Sequence, residues 1–230
     1  MRNKSQRTMK FSTPVLLFGA SPIDIKEAVF FPRFSNLPVV AADGGVHSAV
    51  NLGLTPLALI GDMDSLSPGA LIPNKTRRIL VSDQDDTDFE KSIRLIDAPL
   101  IMAIGFLDGR LDHTLSVIDV LARDSSSKLI LLIGQNDVLL RVKGSCDISL
   151  YKDCRISIWP LGRQEFRGSK GLVWPLENIK MEVGTKVGTS NRVSDGPVSI
   201  EAGEGDGYAV ITPTDAFEAI FAAAMTMSKN

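Results

Sequence analysis

Cysteine is almost missing from this sequence: among 230 residues only Cys146 and Cys154 occur. They form no Cys-x-x-Cys spacing and have no nearby His to complete a zinc site, so they read as reduced thiols of a cytoplasmic protein. An excess of positive charge is missing as well. The formal charge of −2 supplies no basic field for DNA or RNA, and the expected partners are small molecules, not a nucleic acid. No long apolar run occurs. Val15 to Phe18 stops at Gly19 and Pro22, too short for a signal-peptide core or a membrane span, so no membrane partner is expected. Arg2, Lys4, Arg7 and Lys10 around the start are expected to form a frayed basic tail. No G-x-x-x-x-G-K-[ST] run is present, which excludes an ordinary P-loop, and no kinase-type glycine loop with its catalytic Asp motif occurs. Repeats, low-complexity stretches and Ser/Pro-rich linkers are also lacking.

What is present is the ordinary mix of a globular chain, 44% apolar and 23% charged, with enough length for one large core or two small ones. Up to about Val142, short apolar runs alternate with amphipathic segments. Strands are expected at Val15 to Phe18, Val39 to Ala42, Leu57 to Ile60, Arg78 to Val81, Leu100 to Ile104 and Leu129 to Ile133. Helices are expected at Val46 to Leu52, Thr87 to Ile96 and Asp112 to Ala122. This alternation predicts an α/β domain over residues 1–142, a mostly parallel sheet flanked by helices in a Rossmann-like arrangement. From 143 to 230 the rhythm changes to short strands between Gly and Pro turns: Cys146 to Leu150, Arg155 to Trp159, Gly171 to Trp174, Pro197 to Glu201 and Tyr208 to Ile211. A small β-sandwich or barrel is expected there, with a helix over the Ala-rich tail from Thr214 to Met225.

Ligands of a parallel sheet collect beyond the carboxyl ends of its strands. At the first such point, Asp43-Gly44-Gly45 follows Ala42, and two residues without side chains let backbone approach a phosphate. At the next, Gly61-Asp62-Met63-Asp64-Ser65 follows Ile60. Residues two apart in extended chain share a side, so Asp62 and Asp64 aim two carboxylates at one point, an oxygen-only donor set that suits Mg²⁺. The third, Asp83-Gln84-Asp85-Asp86-Thr87-Asp88-Phe89-Glu90-Lys91, holds five acids. Thr87 and Glu90 fit a capping box, which accounts for one or two of them. Asp88 is the third expected metal ligand, and Lys91, one turn inside the helix, can reach a phosphate. The fourth loop, after Gly105, carries Asp108-Gly109-Arg110-Leu111-Asp112-His113, where Arg110 can grip phosphate oxygens and Asp112 can cap the following helix. His113, one of two histidines, reads as structural when taken alone. Together these loops describe a magnesium–nucleotide site acting by positioning and charge neutralisation.

In order and spacing these motifs, with Gly171-Leu172-Val173-Trp174 and Thr189-Ser190-Asn191 further on, resemble those of the thiamine pyrophosphokinases over roughly residues 15 to 212. The resemblance implies an ATP-dependent transfer of diphosphate to thiamine, giving AMP and thiamine diphosphate. It also implies an N-terminal α/β catalytic domain, a smaller C-terminal β-sandwich that binds thiamine, and a homodimer with active sites between subunits. Carried over by position, Asp62, Asp64 and Asp88 would bind Mg²⁺. Asp43, Gly44, Gly45, Thr87, Lys91, Arg110, Asp112 and His113 would surround the ATP phosphates and the transferring group. Gln84, Trp174, Ser190 and Asn191 would contact thiamine, whose cationic ring an indole face attracts. Trp159, with no motif around it, is expected in the core. Asp108 stands where the family often has a second Gly, and Met63 where Phe is common. Two other readings stay open on the residues: another ATP-dependent diphosphotransferase, such as one acting on a hydroxymethylpterin, and a thiamine-binding sensor without turnover.

Overall fold

The computed structural model describes residues 7–22, 31–64, 66, 72–81, 83 and 85–229. The fold is mixed α/β and divides into two compact units, Met1–Val117 and Ile118–Asn230.

In the first unit, β1 (Met9–Lys10) pairs in parallel with β6 (Ile96–Asp97), so Lys10 of the expected frayed tail is held in a strand, while Arg2 and Lys4 lie outside the described residues. Next come β2 (Val15–Phe18), α1 (Phe31–Phe34), β3 (Val39–Ala42), α2 (Gly45–Asn51), β4 (Ala58–Gly61), β5 (Arg77–Leu80), α3 (Asp88–Leu95), β7 (Ile101–Ile104) and α4 (Leu111–Arg123). All residues of β2, β3, β4 and β7 are buried, because strands covered on both faces carry continuous apolar runs and not an alternation. The spatial order is β7-β2-β3-β4-β5, with every pair parallel. The chain therefore leaves β2 toward β3 on one side and later returns to its other side with β7. That reversal creates a crevice at the carboxyl ends of β2 and β7.

The helices follow their apolar spacing. On α3, Phe89, Ile93 and Leu95 are buried while Arg94 faces out. Thr87 caps it, its Oγ1 accepting the Glu90 N–H at 3.3 Å, and Ile96 turns extended to enter β6. On α2, Gly45, Val46 and Ala49 are buried, and Val46 joins Ala41 and Leu59 in a core cluster. Leu111 and not Asp112 opens α4, so Asp112 is a first-turn residue and not the cap expected for it.

The second unit is antiparallel. A hairpin of β8 (Ile130–Ile133) and β9 (Asp137–Val142) leads through β16 (Tyr208–Pro213) and β11 (Arg155–Pro160) to β14 (Gly188–Arg192). A separate sheet runs β10 (Cys146–Ile148), β15 (Val198–Gly205), β12 (Gln164–Lys170), β13 (Ile179–Met181). Here buried and exposed residues alternate along β10, as a sheet with one covered face requires. Tyr208 joins the two sheets: its ring meets Phe166 edge-on at 5.1 Å, and its hydroxyl donates to the Gly144 carbonyl at 3.0 Å. The Cys146 sulfur lies 3.4 Å from that hydroxyl, and burial pushes its thiol up to about 11. Both cysteines are buried and free. After a 3-10 turn, Thr214–Ala216, helix α5 (Phe217–Met227) buries Phe217, Ile220, Ala223 and Ala224, the apolar face expected of the tail.

Two expectations fail in this unit. Gly171 to Trp174 is no strand: Gly171 sits at φ +76°, where an added Cβ would meet the Pro197 carbonyl oxygen at 2.6 Å, and only an isolated bridge joins Leu172 to Val193. Trp159 is half-buried on β11, not in the core. Leu129 to Ile133, read as a strand, is β8, and it pairs antiparallel with β9 on one edge. Among the described residues, no helix is long and apolar enough to cross a membrane.

Candidate active site

Beyond the carboxyl ends of β2, β3, β4 and β7 lies a cavity of about 380 Å³, a size that suits a small-molecule ligand. Its floor is glycine. Gly19 and Gly105, which follow β2 and β7, stand back to back: a Cβ on Gly19 would meet the Gly105 carbonyl oxygen at 2.4 Å. Sequence reasoning missed the Gly19-Ala20-Ser21 segment of the lining. Its signal was a Gly immediately after a fully buried strand, at a topological reversal that only the strand order reveals.

Asp43 and Asp62 enter from neighbouring strand ends. Asp43 is buried and left-handed, at φ +40°, a conformation that costs a non-glycine residue about 1 kcal/mol or more and recurs at functional sites. Gly61 makes room for it, since a Cβ there would come within 3.0 Å of the Asp43 Cβ. Asp62 accepts the Asp64 backbone N–H on Oδ1 at 3.2 Å, which leaves Oδ2 turned toward Lys91.

The acidic run before α3 separates into distinct tasks. Asp83 accepts the Asp85 N–H at 3.1 Å, Asp86 pairs with Arg94, and Asp88 meets Lys91. The Lys91 ammonium, only 3% exposed, lies 3.2 Å from Asp88 Oδ1 and 3.7 Å from Asp62 Oδ2. Burial pushes the Asp88 carboxyl above the ordinary carboxylate range; Lys91 opposes this, while the negative charges of Asp43 and Asp62 add to it. Two carboxylates thus converge on one cation, with a third close enough to be felt. Phe89 and Phe106, rings 4.9 Å apart, form an apolar wall.

The cavity therefore gathers Asp43, Gly44, Asp62, Thr87, Asp88, Lys91 and His113 from the expected set. It does not gather the rest. Asp64 is exposed on a turn where Met63 takes φ +67°, and its carboxylate is not in the lining. Among the described residues, no three His, Cys, Asp or Glu side chains stand at metal-ligand spacing. Gly45 is buried in helix packing. Arg110 is exposed and donates twice to Asp112, Nε to Oδ1 at 3.1 Å and Nη2 to Oδ2 at 2.5 Å. These bonds hold the Asp112 carboxyl below its usual range. Gln84 and Ser65 lie outside the described residues.

In the second unit, Trp174, Ser190 and Asn191 come together. Trp174 is 57% exposed, so its indole is a surface and not a core side chain. Asn191 is buried and holds it from behind: Nδ2 donates to the Trp174 carbonyl at 2.6 Å, and Oδ1 accepts the N–H groups of Trp174 and Arg192 at 3.2 and 2.8 Å. Ser190, at φ +58°, donates its N–H to the buried Ser157 hydroxyl at 3.0 Å, leaving its own side chain exposed. Ser157 is a positioning residue that no motif announced.

The family model described as thiamin pyrophosphokinase, catalytic domain, matches residues 35–132, and that described as thiamin pyrophosphokinase, vitamin B1 binding domain, matches residues 145–205. Thiamin pyrophosphokinase 1 of Caenorhabditis elegans is 30% identical over 182 residues, covering 71% of this chain and 74% of the relative. Thiamine pyrophosphokinase 1 of Oryza sativa subsp. japonica is 30% identical over 199 residues, covering 70% and 74%. The crystal structure of yeast thiamin pyrophosphokinase is similar in fold, with TM-score 0.72 at 19% identity over 94% of this chain and 93% of that one. The solved structure of thiamin pyrophosphokinase from Candida albicans is also similar, with TM-score 0.69 at 20% identity over 90% of this chain and 92% of that one. By sequence, over most of its length, this chain belongs to the thiamin pyrophosphokinase family.

Proposed function

We propose that this chain moves the diphosphate group of ATP onto the hydroxyl of thiamine, releasing AMP. The observation that carries the reading is the convergence of Asp62 and Asp88 on a single positive charge, inside a glycine-floored cavity at the strand reversal. The thiamine oxygen forms a bond to the β-phosphorus, the bond from that phosphorus to the α-phosphate bridging oxygen breaks, and the hydroxyl proton leaves to solvent. Such a transfer needs alignment and charge neutralisation more than covalent help.

Magnesium is the ion that the family resemblance implies, and the donors fit it. They are all oxygen, they already converge on one cation, and the cavity leaves room for phosphate oxygens. Asp62 and Asp88 would hold it, and Asp64 is proposed as a third ligand once its turn rotates inward. Bound there, the ion supplies positive charge to the transferring phosphates. Asp43, Gly44, Thr87, Lys91 and His113 are assigned to the nucleotide. Arg110, on its exposed loop, is assigned to the phosphate tail, with Asp112 holding its guanidinium flat. The proposed architecture is a Rossmann-like catalytic domain over 1–142 and a thiamine-binding β-sandwich over 143–230. The proposed assembly is a homodimer with active sites between subunits, in the cytoplasm.

Incubation with ATP, Mg²⁺ and thiamine tests the chemistry directly. Equal amounts of AMP and thiamine diphosphate are expected by chromatography; ADP would indicate monophosphate transfer, and thiamine binding without turnover would favour a sensor. In the thiamine site, Trp174→Ala is expected to raise KM for thiamine about 2- to 30-fold, the range of a cation–π contact worth about 0.5–2 kcal/mol. Asn191→Ala should do the same without touching the ligand, because it frees the Trp174 backbone. A KM for ATP that rises equally in both variants would contradict this assignment.

A further inference from the structure

Lys91 sits where its charge conflicts with a divalent ion. Its side chain is 3% exposed, and a buried ammonium persists only against opposite charge, which Asp88 and Asp62 supply at 3.2 and 3.7 Å. Magnesium bound by the same carboxylates would draw their oxygens to about 2.0–2.1 Å. An ammonium still hydrogen-bonded to those oxygens would then lie beside a dication, across a single shared oxygen, with its counter-charge drawn to the ion.

We infer that Lys91 competes with the divalent ion for Asp62 and Asp88, and that nucleotide phosphates relieve the competition by accepting the displaced ammonium. The inference rests on the function proposed above, and it makes Lys91 a device coupling metal entry to nucleotide entry. The fold provides for the movement. Lys91 lies one turn after Asp88 on α3, so its root is held by the helix while its flexible stem can redirect the charged end within the same cavity. Thr87 and Gly44 line that cavity with it, at the starts of α3 and α2, so an ammonium leaving the carboxylates remains beside the position assigned to phosphate. The metal alone therefore binds weakly, because it must displace a buried cation from the two carboxylates paired with it. Metal with nucleotide binds tightly, because the phosphates give that cation a new anionic partner.

Titration with Mg²⁺ alone, followed calorimetrically, tests the inference. Lys91→Met, which keeps the stem and removes the charge, is expected to bind Mg²⁺ at least about tenfold more tightly than the natural protein. It should also show a smaller gain in Mg²⁺ affinity on addition of a non-hydrolysable ATP analogue. Lys91→Arg should remain weak. Equal or weaker Mg²⁺ binding by Lys91→Met would overturn the proposal. A second measurement uses the natural protein and so does not depend on how the variants fold. Brief acylation of lysines, read by mass spectrometry, should show Lys91 protected and then exposed by Mg²⁺ alone; unchanged labelling at Lys91 would also overturn it. Failure of AMP formation with these Mg²⁺ effects intact would refute the assigned reaction and leave the competition standing.

Discussion

Asp62→Asn is expected to slow AMP formation about a thousandfold or more, since the charge that a metal site places on a transferring phosphate is worth several kcal/mol. The substitution is isosteric at the backbone turn. Asn keeps an oxygen for the Asp64 N–H, so the segment after β4 retains its shape. Only the negative charge opposite Lys91 is removed, and Lys91 keeps Asp88 as a partner at 3.2 Å. The thermal midpoint should therefore stay within a few degrees of the natural protein while turnover collapses. A rate within tenfold of the original would show that the Asp62 carboxylate is not part of the phosphate-transfer machinery. Asp64→Asn reports separately on the exposed turn: a loss of the same order means that it rotates inward to join the ion.

Gly45→Ala is expected to destabilise the whole first unit by at least about 3 kcal/mol, the upper range for overpacking a rigid site. A Cβ at this position would lie 2.0 Å from the Phe18 carbonyl oxygen, 2.5 Å from its carbon and 2.9 Å from the Gly19 nitrogen. All three are backbone atoms of or next to β2, which is hydrogen-bonded on both sides and cannot give way. Denaturant unfolding measures the loss. Gly44, at φ −56°, has a conformation open to any residue, so Gly44→Ala should spare stability and instead raise KM for ATP. Near-natural stability in Gly45→Ala with lost nucleotide binding would restore the phosphate role first read for that glycine and remove the packing one.

These two glycines show where sequence reasoning reaches its limit. Asp43-Gly44-Gly45 reads as a loop shaped for phosphate, and only the position of α2 against β2 separates a cavity-lining glycine from a packing one. The acidic run before α3 is similar. Thr87 was legible as a cap from its spacing to Glu90, whereas the partners of Asp83 and Asp86, Asp85 and Arg94, were assigned only by the turn. Trp174 was expected to face thiamine through family likeness; the structure adds that Asn191 grips its backbone instead of reaching outward.

Continuous apolar runs and Gly-punctuated strand ends made β2, β3, β4 and β7 legible, because strands buried on both faces have no freedom to be polar. In the second unit β9, β12, β13 and β14 were not predicted. Gln164 to Lys170 and Gly188 to Arg192 carry few apolar residues, and their strand character comes from partners distant in sequence. The sequence by itself determined which residue types were available for chemistry: acids, glycines and one arginine at successive strand ends. Tertiary structure alone decided which of them meet. It set Lys91 between Asp62 and Asp88, left Arg110 and Asp112 paired in solvent, and buried Gly45, because distances across a fold depend on packing between segments that local pattern does not encode.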